Sequence, residues 1–377
     1  MNATIFEDLN VLEELKNNLA TPCVSVIIPS HKVSPDRAID VLEVKKMLKK
    51  AKKLVNDMYG LENGSEEILN KLDDLAGNID YLHNDMGLGF FVSPTISHMV
   101  KFPFTVTEKV IVGKNFEIRD MIYLAETMIN YYVLSINEKE IKLFEGNGTN
   151  LKLLNDQDFP MHFFDDYEYA RASLGSSYGY SLKSTEKDKS IVKEQRLTAY
   201  YKVADQKISK YLINNTPLIL AGSSKDLGYF KKASINYKYV VGKINGNYIN
   251  ENNQKLGQFS FEKIKEFLNL EADKLLIRLD DALGKKLAVY GIVNVWKASQ
   301  EGKGLILLVE KDYEIPGFIT DDASEIFLHP PKKPHEIIKD AVDDVMETVI
   351  GKNGKVVIVE NGKLVKFEGI ALILRYW

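Results

Sequence analysis

"YYVLSINEKEIKLFEG" (Tyr131–Gly146) reads as two strands joined by a tight polar turn. "YYVLSI" and "EIKLFEG" are rich in the apolar and aromatic residues that strands favour, and Asn137–Lys139 supplies the turn between them. Downstream, Tyr200, Val203, Ala204, Ile208, Tyr211 and Leu212 recur at helical spacing and lead into "TPLILAG" (Thr216–Gly222), an apolar run of buried-strand type. Hairpin, helix and strand in that order make residues 131–270 an α/β domain.

Between hairpin and helix lies "GSSYGYSLKSTEKDKSIVKEQR" (Gly175–Arg196), whose only aliphatic residues are Leu182, Ile191 and Val192. Thr185 and Asp188 have capping-box spacing, so the helix is expected to begin inside this excursion, leaving 175–184 as an exposed loop. Upstream, residues 1–130 read as an N-terminal α/β domain. It contains a helix over Thr4–Leu19, the buried strand "CVSVIIP" (Cys23–Pro29), a lysine-rich amphipathic helix over 40–58, a helix over 65–82 and the strand "GLGFFVSP". Downstream, Phe261, Ile264, Leu268, Ala272, Leu275, Leu279 and Ala282 write a helix of about 35 Å from Ser260 to Gly284, long enough to join two domains. Residues 271–377 then read as a third α/β domain. Its expected elements are the strand "GLILLVEKD", a helix over 335–350, a hairpin turning at Asn361-Gly362 and a closing strand "IALILRYW".

The 377-residue chain has a globular composition, one cysteine and a net charge of −4. No apolar run reaches the roughly 20 residues of a bilayer span, so a cytoplasmic protein is expected. Its charge is uneven. Residues 1–130 hold 14 basic and 19 acidic side chains, 131–270 hold 20 and 16, and 271–377 hold 15 and 18. Only the middle third is cationic, which points to a polyanionic partner there.

Signatures of chemistry are sparse. His31, His83, His98, His162, His329 and His335 are scattered, without paired-ligand spacing, and no cofactor or metal motif is present. "GKNGK" (Gly351–Lys355) lacks the spacing of a phosphate loop and reads as a helix stop, while the lysines at 45, 46, 49, 50, 52 and 53 read as a solvated face. Asp165 and Asp166 have no third partner for metal-assisted hydrolysis, and Trp377 reads as core. The excursion differs: Lys183, Lys187, Lys189, Lys193 and Arg196 suit phosphates, and Tyr178 and Tyr180 suit stacking on bases.

The runs "LNVLEELKNNLATPCVSVIIPSHK", "GLGFFVSP", "EKVIVGKNFEIRDMI", "YYVLSINEKEIKLFEG", "TPLILAG", "GKGLILLVEKD" and "GIALILRYW" resemble, in order, a bacterial family related to archaeal and eukaryotic class-one peptide-chain release factors and to Pelota. The resemblance implies a mixed α/β, three-domain, release-factor-like architecture. Its parts are an N-terminal α/β domain (1–130), a ribonuclease-H-like middle domain (131–270) and a C-terminal domain similar to kink-turn RNA-binding proteins (271–377). In release factors of this group the loop before the middle helix carries Gly-Gly-Gln. Here "SSYGYS" stands in its place, the nearest glutamine is Gln195, and "LGQ" (Leu256–Gln258) falls elsewhere. An Asn-Ile-Lys-Ser stop-codon reader is also absent. The implied function is a non-catalytic ribosome-binding factor of rescue, stress or hibernation type. Its expected partners are ribosomal RNA and a translational GTPase, with neither DNA nor membrane. Two alternatives stay open: an enzyme hydrolysing RNA or peptidyl-tRNA through an unrecognised site, and an RNA- or protein-binding module that acts off the ribosome.

Overall fold

The computed structural model describes residues 3–31, 37–60, 65–81, 84–163, 182–248, 253–320 and 322–376. The chain forms two compact units, one made from residues 1–126 together with 272–377 and the other from 127–271.

The first segment contains α1 (Ala3–Lys16), β1 (Cys23–Pro29), α2 (Arg37–Tyr59), α3 (Ser65–Gly77), β2 (Gly87–Val92), β3 (Ser97–Phe102), β4 (Lys109–Gly113) and α4 (Arg119–Thr127). The strands form an antiparallel sheet in the order β3-β2-β1-β4. Side chains alternate across a strand, so Val24, Val26 and Ile28 of β1 share one face with Leu88, Phe90 and Val92 of β2. Val44, Leu48, Ala51 and Val55 of α2 and Ile68 and Leu72 of α3 close over that face. Met58 continues the stripe in sequence but is exposed, as is Leu19 beyond the end of α1. Lys45, Lys46, Lys49, Lys50 and Lys53 line the wet side of α2, where Lys46 pairs with Glu43. α3 stops at Gly77, short of the expected Leu82.

The middle unit contains β5 (Asn130–Ile136), β6 (Glu140–Asn147), β7 (Asn150–Leu153), β8 (Met161–His162), α5 (Leu182–Ile208), β9 (Leu218–Gly222), α6 (Ser224–Ala233), β10 (Val240–Asn245) and the start of α7 (Asn253–Gly284). The expected hairpin is β5–β6, with Asn137 Oδ1 accepting from the backbone N–H of Lys139 and Glu140. The main sheet order is β10-β9-β5-β6-β7. β5, β6 and β7 form an antiparallel meander, β9 and β10 lie parallel to β5, and β8 pairs with β6. One face of this sheet (Leu134, Ile136, Ile141, Leu143, Leu218, Leu220) packs on α5 and α6. The other (Tyr131, Val133, Phe144, Ile219, Ala221) packs on Leu256 and Ile264 of α7. A Cβ at Gly257 would lie 2.0 Å from the Thr149 carbonyl oxygen, so the glycine of "LGQ" lets α7 approach the β6–β7 turn.

The closing segment contains β11 (Ala288–Tyr290), α8 (Ile292–Gln300), β12 (Gly304–Glu310), β13 (Gly317–Ile319), β14 (Ile326–Phe327), β15 (Glu336–Ile338), α9 (Ala341–Gly351), β16 (Lys355–Val359) and β17 (Ile370–Leu374). Its main sheet runs β11-β17-β12-β16, and a small sheet runs β14-β13-β15. Two expectations are corrected here. Asn361-Gly362 does not join a hairpin: β16 pairs in parallel with β12, residues 365–367 form a 3₁₀ turn, and β17 inserts beside β12. Asn361 instead binds Asp312 by donating from Nδ2 at 2.6 Å and accepting from its backbone N–H at 3.1 Å. The helix expected over 335–350 starts at Ala341. Residues 336–338 are strand, and Asp340 Oδ1 caps the helix by accepting from the Val342 N–H. "GKNGK" ends α9, with Lys352 Nζ donating to the Ser299 and Gln300 carbonyls.

Charged side chains join the two segments of the composite unit. Arg119, 4% exposed, donates to the Tyr313 carbonyl at 2.6 Å and pairs with Asp340. Lys109 pairs with Glu117 and Glu314. Burial pushes the Glu126 carboxyl up to about 7, although one of its oxygens accepts from the Ile358 N–H at 2.8 Å. Burial likewise lifts Glu347 to about 7. Asp343 is raised well above the ordinary carboxylate range, by burial first and by the facing carboxylates of Glu117 and Glu347 second.

Candidate nucleic-acid interface

The polar excursion is mostly helix. α5 begins at Leu182, inside the excursion as the Thr185–Asp188 capping spacing implied and slightly ahead of it, and 18 residues before Tyr200, the first residue of the apolar stripe. Lys183, Lys187 and Lys189 lie on its first turns, and their side chains are outside the described residues. So are Tyr178 and Tyr180, the remainder of 175–181, Asp165, Asp166, His83 and Trp377.

The described part of α5 shows how its base is held. Leu197, Tyr201, Ala204 and Ile208 are buried against the sheet. Tyr200 donates its hydroxyl to the Met161 carbonyl at 2.7 Å, and Tyr201 donates to Asp226 Oδ1 at 2.7 Å. Burial pushes both phenols well above their ordinary pKa, so each stays a proton donor.

Lys193 is exposed and donates to Glu138 Oε2 at 2.6 Å. Glu138 lies in the β5–β6 turn and its other oxygen accepts from Lys225 of α6 at 3.5 Å. Hydrogen bonding to Lys193 first, with the two ammonium charges, holds the Glu138 carboxyl below its ordinary pKa. One carboxylate thus ties the hairpin turn to α5 and α6. Arg196 is half-buried, one turn from Lys193 and next to the buried Leu197. Gln195 is exposed and lines an open hollow on α5 with Ile191, Glu194 and Thr198.

Asp205, 1% exposed, fastens the far end of α5 to the turn after α6. Its carboxylate accepts from the Ser234 hydroxyl, the Ile235 N–H at 2.9 Å and the Asn236 N–H at 3.4 Å, and its carbonyl accepts from Asn236 Nδ2 at 2.9 Å. Neither Glu138 nor Asp205 sits in a recognisable motif. Their roles arise only when the sheet brings α5, α6 and the hairpin turn together.

The described part of α5 carries the cations of Lys193 and Arg196, turns Tyr200 and Tyr201 toward the core, and shows no catalytic constellation among the described residues. No group of His, Cys, Asp and Glu among them is placed to hold a metal ion. No described helix is long and apolar enough to cross a membrane.

No curated protein matches the chain significantly. Solved structures do. An archaeal translation termination factor, aRF1, is 15% identical over 98% of both chains, with a TM-score of 0.25. S. cerevisiae Dom34, described as a translation termination-like factor involved in RNA quality control and interacting with Hbs1, is 15% identical over 81% of this chain and 77% of its own, with a TM-score of 0.40. Archaeoglobus fulgidus Pelota is 15% identical over 77% and 78%, with a TM-score of 0.36. The family signal comes from sequence: residues 130–303, the middle unit with the long helix and the start of the closing segment, match the model of bacterial archaeo-eukaryotic release factor family 3.

Proposed function

We propose that this chain is a ribosome-binding translation factor of rescue, stress or hibernation type that performs no peptide release. The family match over residues 130–303 carries this reading, because it falls on the part of the chain that would approach the ribosomal centre. The sequence there holds no Gly-Gly-Gln, so the group that would position water for peptidyl-tRNA hydrolysis is missing. Lys183, Lys187, Lys189, Lys193 and Arg196 along α5, with Tyr178 and Tyr180 ahead of it, supply phosphate and base contacts in its place. The three-domain division at 1–130, 131–270 and 271–377 belongs to the same proposal. The ribonuclease-H-like reading of the middle domain draws support from a three-stranded meander followed by two parallel strands.

Cosedimentation with purified bacterial ribosomes tests the proposal. Association should weaken steeply with salt and fall at least tenfold in K193E combined with K183E, K187E and K189E. No salt-sensitive association would overturn it. The opposing reading, an enzyme, predicts turnover of labelled peptidyl-tRNA or RNA that is lost on changing Asp165 or Asp166, and the proposed factor shows none.

A further inference from the structure

Residues 223–248, "SSKDLGYFKKASINYKYVVGKINGNY", contain five lysines, four tyrosines and one acidic residue. The structure gathers the lysines along α6, the 3₁₀ turn at Asn236–Tyr239 and β10, which is an edge strand of the middle sheet. Lys225, Lys231, Lys232, Lys238 and Lys243 are exposed, whereas Tyr229, Tyr237 and Tyr239 are half-buried. Each ring holds ammonium groups against its face. Lys225 and Lys232 both lie 5.8 Å from the Tyr229 centroid, Lys231 and Lys243 lie 5.5 and 5.4 Å from Tyr237, and Lys238 lies 5.0 Å from Tyr239.

A carboxylate in such a position would neutralise its lysine, but a ring face orients the ammonium and leaves the charge in place. The one acidic side chain, Asp226, is buried and engaged by Tyr201 and Ser223. Glu138 reaches Lys225 alone among these lysines. Among the described residues, no carboxylate pairs with Lys231, Lys232, Lys238 or Lys243. The four therefore form an unneutralised cationic surface on a rigid base, since Asp205 pins the backbone at Ile235 and Asn236.

We propose that α6, the 3₁₀ turn and β10 form a second RNA-binding surface, on which Lys231, Lys232, Lys238 and Lys243 meet backbone phosphates. Ile235, 78% exposed between Lys232 and Lys238 in sequence, provides apolar contact for a ribose or base. The surface continues from α5, because Glu138 joins Lys193 to Lys225 and α6 packs beside α5. Naming RNA as the polyanion rests on the ribosome-directed function proposed for this chain, whereas the lysine surface itself does not.

The test uses the full chain and a fluorescein-labelled RNA stem-loop, titrated from 50 to 400 mM KCl, beside the ribosome assay. Each phosphate contact contributes about 0.7–0.9 to the slope of log affinity against log salt, so replacing all four lysines should lower the slope by about 3. The variant combining K231Q, K232Q, K238Q and K243Q should bind at least tenfold more weakly at 100 mM salt while keeping the wild-type thermal midpoint. K238E with K243E changes the charge by the same four units and should weaken binding to a similar extent, and a poly-glutamate peptide should compete poorly. An unchanged slope in the glutamine variant would overturn the proposal, as would displacement of the RNA by poly-glutamate at equal charge, which would mark an acidic protein as the partner. Lysine-dependent stem-loop binding without ribosome association would refute only the proposed function. Salt-sensitive ribosome association with an unchanged stem-loop slope would refute only this surface.

Discussion

Replacing Asp205 with alanine removes the one carboxylate that holds the turn after α6. Three donors lose their acceptor: the Ser234 hydroxyl and the backbone N–H groups of Ile235 and Asn236. Hydrogen bonds to a charged acceptor contribute about 1.5–3 kcal/mol each, and a buried donor left unpaired costs about 1–3 kcal/mol. The Asn236 N–H, at 3.4 Å, is the weakest of the three, and Ile235 is exposed enough for water to replace part of its bond. Counting two full bonds gives a destabilisation of about 3–6 kcal/mol for the middle unit. Amide hydrogen exchange suits a chain of two units, because it reports local opening without assuming one global transition. Exchange at Ile235 and Asn236 should accelerate by at least a hundredfold in D205A. Protection in β5 should fall with it, because α5 and α6 cover the β5 face that carries Leu134 and Ile136. RNA affinity should fall as the turn carrying Tyr237 and Tyr239 loosens. Exchange at the two amides within threefold of wild type would refute the assignment of Asp205 as the fastener.

The raised carboxyls of the composite unit predict a pH dependence. With Glu126 at about 7 in the folded chain and near 4.5 unfolded, the folded state binds more protons across that window, so its contribution to stability is present at low pH and lost as pH rises through 7. The shift is worth about 3 kcal/mol, and E126Q should show a flatter fall in urea midpoint between pH 5 and 8 than wild type; parallel curves would contradict this. R119M strands the buried Asp340 carboxylate and should destabilise the composite unit by about 3–5 kcal/mol, read by thermal unfolding, and a loss below about 1 kcal/mol would count against a buried pair.

How far the sequence reveals this molecule depends on the range of each interaction. The β5–β6 hairpin is legible because its pairing and its turn lie within eighteen residues, Asn130 to Asn147. The buried faces of α2 and of β1 are legible from period alone. The first four turns of α5 are legible only faintly, since residues 182–196 carry no apolar stripe and the Thr185–Asp188 capping spacing, with the lysine, glutamate and glutamine content, is all that marks a helix there. Asn361-Gly362 has real turn chemistry, with Gly362 at φ +88°, but a turn residue does not name the strand that will pair, and β12 takes the place a hairpin partner would have had. The Arg119–Asp340 pair spans 221 positions and leaves no local trace. At the candidate interface the lysines are visible in the sequence, whereas the rings that hold them and the carboxylate that ties Lys193 to Lys225 emerge only from the packing of α6 against α5.

The composite unit sets a schedule for the newborn chain. Its first half leaves the exit tunnel with Lys109, Arg119 and Glu126 still lacking their partners at Glu314, Asp340 and Ile358. Residues 127–271 and the stretch up to Glu314 must be made before the first of those partners appears, a delay of about 9 to 38 s at about 5–20 residues per second. Residues 127–271 meet no such wait, because every strand of their sheet lies between the two halves, so the middle of this chain is free to finish before its beginning.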